Sequence, residues 1–155
     1  MHHRRGHQWF TTEGNPLAPE RILAAQQVFD ALIKDVARRE GFEEVHDRVA
    51  LTGISHGALM GLDAVANGRW KIGSVVAFSG LLPPQPILSL SRTTPILLVH
   101  GQADTTIPAT ASTLAASQLG TARFEVEVDV KLGTRHTISS SGAARVLAVL
   151  KRKLQ

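Results

Sequence analysis

Arg48-Val-Ala-Leu-Thr-Gly-Ile-Ser-His-Gly-Ala-Leu-Met60 is the stretch whose reading decides the fold. Val49, Ala50 and Leu51 are a short apolar run of strand character. Gly53-Ile54-Ser55-His56-Gly57 is a G-x-S-x-G turn. Ala58, Leu59, Leu62, Ala64 and Val65 then read as a helix, which Asn67-Gly68 stops. Strand, sharp turn and helix together are the context in which this pentapeptide forms a nucleophile elbow. The serine of such an elbow holds its backbone in a region that side chains normally avoid. Glycines at 53 and 57 carry no Cβ, so both are expected to let neighbouring backbone approach closely. The helix start beneath the hydroxyl favours negative charge through its dipole and free N–H groups. A glycine-rich turn in any βα unit uses the same letters, because glycine and serine are common. The flanking strand and helix favour the elbow.

Working outward, residues 1–19 are irregular, with an aromatic pair in Gly6-His-Gln-Trp-Phe10 and a turn at Gly14-Asn-Pro16. A helix is predicted from Pro19 to Glu40. Proline suits its first turn and Glu20 its positive end; Ile22, Gln26, Phe29, Ile33 and Val36 recur at helical spacing with Leu32 beside them, and Gly41 closes it. After the elbow, Gly73 to Phe78 is a β-branched apolar run, and Thr94-Pro-Ile-Leu-Leu-Val-His100 is the clearest buried strand. A helix opens at Ile107-Pro108 and runs to about Gln118. Phe124 to Val130 alternates strictly, as a half-exposed strand does. Gly133 to Thr137 is a loop, and Gly142 to Leu154 a last helix, apolar at Val146, Leu147, Leu150 and Leu154. This order predicts an α/β fold: one domain over residues 1–155, with a mostly parallel sheet of about four strands and helices on both faces.

Composition narrows the chemistry. The 155 residues include no cysteine, which excludes disulfides, thiolate metal sites and cysteine nucleophiles. The apolar runs are too short to span a membrane, and the basic start, Met1 to His7, has no apolar stretch behind it, so neither a membrane span nor a signal peptide is expected. The cytoplasm is the expected compartment. The net charge of +4 is partly terminal, in Arg4, Arg5, Lys151, Arg152 and Lys153. Without a basic stripe, interleaved aromatics or a known module, no nucleic-acid partner is expected.

In open parallel sheets ligands sit beyond the carboxyl ends of the strands. Ser55 follows the first strand, Asp104 the third in His100-Gly-Gln-Ala-Asp104, and His136 the fourth, so topology puts all three on one edge. A hydroxyl attacks only when a base takes its proton and an acid holds that base in one tautomer. In α/β-hydrolases these residues come in the order Ser, Asp, His, which Ser55, Asp104 and His136 follow. His2, His3, His7 and His46 precede the serine. His56 is expected to point its ring elsewhere while its backbone N–H serves as an oxyanion donor. His100 ends a buried strand and reads as a hydrogen-bonded structural histidine. Singly, Asp104 is equally a turn aspartate and His136 a surface-loop histidine; their joint fit favours a triad.

These pieces resemble the phospholipase/carboxylesterase branch of the α/β-hydrolases, which includes acyl-protein thioesterase-like enzymes. The matching segments are Gly6 to Phe10, Arg48 to Met60, Phe78-Ser-Gly80, Pro95 to Gly101 with Asp104 and Pro108, and Gly133-Thr-Arg-His136 with Ile138. The resemblance implies Ser55 as nucleophile, Asp104 as acid and His136 as base. It implies small ester or thioester substrates and no metal or other cofactor. Trp9 and Phe10 are implied as acyl-pocket residues; the other reading of the pair is a hydrophobic anchor for the first helix. Two residues depart from the family pattern: His56 where glutamine is commoner, and Thr137 where many bacterial members have glycine. The family's opening strands, with the loop that supplies a second oxyanion N–H, have no counterpart in these residues, so the chain reads as the C-terminal portion of such a hydrolase.

The resulting expectation is a serine hydrolase working through an acyl-enzyme on Ser55. The alternative is a non-catalytic hydrolase remnant, acting as a binding module or as a homodimer that pairs through an exposed sheet edge.

Overall fold

The computed structural model describes residues 8–11, 13–88 and 92–154; Gly6, Arg4, Arg5, His2, His3 and His7 lie outside them. In chain order the elements are α1 (Pro19–Arg39), a 3₁₀ turn (His46–Arg48), β1 (Ala50–Ile54), α2 (His56–Ala66), β2 (Ser74–Phe78), β3 (Ile96–Gly101), α3 (Thr110–Thr121), β4 (Val126–Lys131) and α4 (Ser140–Lys153). The four strands form one sheet in the order β1-β2-β3-β4, and every neighbouring pair is parallel. This is the α/β architecture expected from the alternation of strand and helix patterns.

The sheet divides the interior in two. Val75, Ala77, Ile96 and Leu98 face α1, α2 and α3, packing with Ile22, Phe29, Leu62 and Leu119. Val76, Phe78, Leu97 and Val99 face the other way and meet Val146 and Val149 of α4. Strands covered on both faces read as unbroken apolar runs, which is why β2 and β3 are buried along their whole length. The β4 edge strand keeps an alternating pattern. Its Glu127 pairs with Arg145 and Arg152 of α4, and Glu125, just before the strand, pairs with Lys153.

Some boundaries differ from expectation. The last helix starts before Gly142, because the Ser139 hydroxyl accepts the Gly142 N–H at 3.1 Å and caps it. Its buried stripe is Gly142, Val146 and Val149, while Leu147 is exposed. On α1, Val36 of the periodic stripe and Leu32 beside it are exposed, while Ile22, Gln26 and Phe29 are buried. Val36 lies beside the outer edge of β1, which pairs only with β2 among the described residues.

One polar network crosses the apolar layer. Asp63, buried within α2, accepts from Gln26 at 2.9 Å and pairs with Arg69 at 2.7 Å, and Arg69 also pairs with Asp30 at 2.9 Å. The Trp70 indole donates to the same Asp30 at 2.6 Å. A buried charge is tolerated only when paired and hydrogen-bonded, so these contacts fix α1 against α2 and thereby support the helix behind Ser55.

Candidate active site

Ser55 closes β1 and caps α2 with φ 55° and ψ −116°, a positive φ that a side chain adopts only when the surroundings enforce it. The enforcement is visible. The Ser55 N–H donates to Phe78 O at 2.9 Å, and the Leu59 N–H returns to Ser55 O at 3.0 Å. A Cβ on Gly53 would lie 2.6 Å from Ala58 N and against the Gly57 carbonyl, so strand and helix meet there through bare backbone. Gly57 differs from expectation: a Cβ there would meet nothing within 4 Å. Of the two glycines, only Gly53 is demanded by close approach.

Asp104 sits in the turn after β3 with its carboxylate buried. Oδ1 accepts from the N–H groups of Thr106 at 2.8 Å and Ile107 at 2.9 Å, and Oδ2 lies 2.7 Å from His136 Nδ1. Burial alone would raise the carboxyl pKa. The Ile107 and Thr106 N–H groups and His136 outweigh it and hold the group down at about 2, so it is ionised. The His136 loop reaches Asp104 because β3 ends in glycine: a Cβ on Gly101 would strike the Thr134 and Arg135 carbonyls. Ala103 N–H donates to Thr134 O at 2.9 Å, joining the two loops.

Ser55 lies at the same carboxyl-end edge as these loops. A cavity of about 310 Å³ opens beside it, walled by Phe10, Leu17, His56, Leu59, Leu81 and Ile107. Thr106 and Ile107, whose N–H groups hold Asp104, line the cavity as well. Thus Asp104 and His136 are in contact and Ser55 shares a cavity with the acid's turn; no hydrogen bond joins Ser55 Oγ to His136 among the described residues.

The remaining sequence-level candidates separate. Phe10 lines the Ser55 cavity. Trp9 instead packs edge-on against Phe29 of α1, with centroids 5.3 Å apart, and lines a second hollow beside β1. The two adjacent rings leave the chain on different sides, Phe10 into the wall of the Ser55 cavity and Trp9 onto α1. His56 was expected to turn its ring away; the ring stacks on Phe10 at 4.3 Å and walls the cavity. Burial lowers its pKa, which favours the neutral, apolar-packing form. As the first residue of α2, His56 has a backbone N–H without an intrahelical acceptor. Leu81 and Ile107 were not singled out as cavity residues: Leu81 lies in a loop, and Ile107, read as the opening of a helix, lies in the loop before α3, which begins only at Thr110, so tertiary contact alone gives either a role.

Among the described residues no group of three or more His, Asp or Glu is arranged to hold a metal ion, and no helix is long and apolar enough to cross a membrane.

Known proteins resemble this chain over most of its length. The family model described as phospholipase/carboxylesterase matches residues 3–153. Esterase YpfH of Escherichia coli (strain K12) is 27% identical over 137 residues, which are 87% of this chain and 58% of that protein. The chain therefore spans little more than half the length of that curated relative. Among solved structures, esterase PE8 superposes with a TM-score of 0.81 at 27% identity, covering 96% of this chain and 71% of that one. Acyl-protein thioesterase 2 of Zea mays gives a TM-score of 0.74 at 21% identity over 96% of this chain and 73% of that one, a likeness of fold.

Proposed function

The chain belongs to the phospholipase/carboxylesterase family of α/β-hydrolases, and from that premise we propose that it is a serine hydrolase cleaving small carboxylic esters or thioesters through an acyl-enzyme on Ser55. The observation that carries the reading is the strained Ser55 backbone, φ 55°, at the wall of an apolar cavity. Strain of this kind persists where the surroundings over-determine it, and it gathers at working sites.

In this mechanism His136 Nε2 takes the Ser55 proton while Nδ1 keeps its hydrogen bond to ionised Asp104. Oγ then attacks the carbonyl carbon. Negative charge gathers on the carbonyl oxygen and is met by the His56 N–H at the positive end of α2. Collapse expels the alcohol or thiol with the proton from His136. Water, deprotonated by the same imidazole, then releases the acid and restores Ser55. The apolar walls at Phe10, Leu17 and Leu59 suit the acyl part of the substrate.

The test is labelling by a fluorophosphonate probe. Modification at Ser55, lost in Ser55→Ala together with p-nitrophenyl ester hydrolysis, is the expected result. Labelling that survives the substitution refutes the assignment.

One observation favours a second reading, in which the chain is non-catalytic and works as a binding module or homodimer. Among the described residues β1 pairs with β2 alone, and an apolar hollow of about 250 Å³ lies beside its outer edge between Trp9, Phe29, Leu51 and Val75. Such edges invite strand pairing. A monomer in sedimentation, turning over substrate in a Ser55-dependent way, would remove this reading.

A further inference from the structure

Beneath the acid's turn lies a histidine that the mechanism above does not use. His100, on β3, is fully buried. Its Nε2 is 2.8 Å from Ile107 O and 3.3 Å from Asp104 Oδ2, and its Nδ1 is 2.7 Å from Ser112 Oγ, also buried, on α3. Ile107 O and the Asp104 carboxylate are acceptors only, so Nε2 must present a hydrogen to them. In the neutral ring Nδ1 then accepts, and the Ser112 hydroxyl donates to it. Ser112 Oγ makes no other side-chain hydrogen bond among the described residues, so this assignment satisfies every polar atom of the group.

The same Ile107 whose carbonyl His100 holds gives its N–H to Asp104 Oδ1, and the same Oδ2 that His100 approaches receives His136. Both ends of the turn are therefore held by one ring, whose orientation depends on one hydroxyl of a helix outside the cavity. Resting on the reading of Ser55, Asp104 and His136 as a triad, we propose that His100 and Ser112 are positioning residues: Ile107 O and the Asp104 carboxylate keep the His100 hydrogen on Nε2, that N–H holds the Asp104 turn in the place His136 requires, and the Ser112 hydroxyl holds the ring at that reach. The opposite tautomer would set a lone pair against a carbonyl and a carboxylate. It would push the turn away from His100, and Asp104 with it.

The experiment compares the parent chain with Ser112→Ala, which removes one hydroxyl and touches neither the cavity nor the triad. The first readout is the ¹⁵N shifts of the His100 ring together with the downfield proton on His136 Nδ1. The expected result is an unprotonated Nδ1 and protonated Nε2 at His100 in the parent. In Ser112→Ala the hydrogen should stay on Nε2, while loss of the hydroxyl donor should move the His100 Nδ1 shift and move or broaden the His136 proton. The second readout is ester hydrolysis: kcat should fall about tenfold with KM unchanged, short of the ~10²-fold cost of a 1 Å misplacement. His100→Gln, which keeps an N–H donor at similar reach, should retain more kcat than His100→Ala at equal thermal stability. A protonated Nδ1 in the parent overturns the proposal. So do His100 and His136 signals that ignore Ser112→Ala, or a change confined to KM. Failure of the triad reading itself shows separately, as a probe that does not label Ser55, while the ring signals still report on Ser112 and His100.

Discussion

The two glycines of the G-x-S-x-G turn are interchangeable in the pattern and unequal in the fold. Alanine at 53 would bring its Cβ to 2.5 Å from Gly57 O and 2.6 Å from Ala58 N. Both are backbone atoms at the start of α2, which Leu59 N–H and Ser55 O pin to the elbow. Overpacking costs about 1–3 kcal/mol where side chains shift to absorb it. Here no side chain can shift, so the cost is at or above the upper end, on the order of 3 kcal/mol. For a chain of this size that lowers Tm by roughly 6–12 °C, and relaxation of the elbow would move Ser55 as well. Alanine at 57 meets nothing within 4 Å and sits in the first turn of α2. It should be neutral or stabilise by about 0.5 kcal/mol through helix propensity. Thermal or urea denaturation of the parent and the two variants measures both numbers. A Gly53→Ala protein melting within about 2 °C of the parent would refute the packing argument, as would a Gly57→Ala protein equally damaged.

Three further outcomes follow from the geometry. Ser55→Gly should raise stability by about 1 kcal/mol while removing the nucleophile, because glycine adopts φ 55° without strain; equal or lower stability in urea would show that Ser55 is not held against its preference. Asp104 is held at about 2 against an ordinary 3.8, so its ionised form contributes about 2 kcal/mol above pH ~4, lost as pH falls toward about 2. In Asp104→Asn that acid-limb dependence should disappear, and a parent and variant with the same stability slope between about pH 4 and 2 would contradict the shift. Arg69→Met leaves Asp63 buried without its cation and should cost about 3 kcal/mol, whereas the double variant with Asp63→Asn should recover part of it; additive losses would show that the pair is not coupled.

Much of this was legible along the chain because its information is local. Burial on both faces makes β2 and β3 continuous apolar runs, and Ser55 announces itself by a strand before it and a helix after it. The rule that sites gather at carboxyl ends of parallel strands put Asp104 and His136 on one edge before any distance was known, and they lie 2.7 Å apart. What only the tertiary structure decided is whatever depends on a neighbour distant in sequence. Gly53 and Gly57 look alike until one is seen to face backbone and the other open space. Trp9 and Phe10 are adjacent letters whose partners, Phe29 and His56, lie on different elements. His100 read as a structural histidine because its strand is buried. That it touches the Asp104 turn on one side and Ser112 of α3 on the other follows from the packing of three elements on one strand end, which no local pattern encodes.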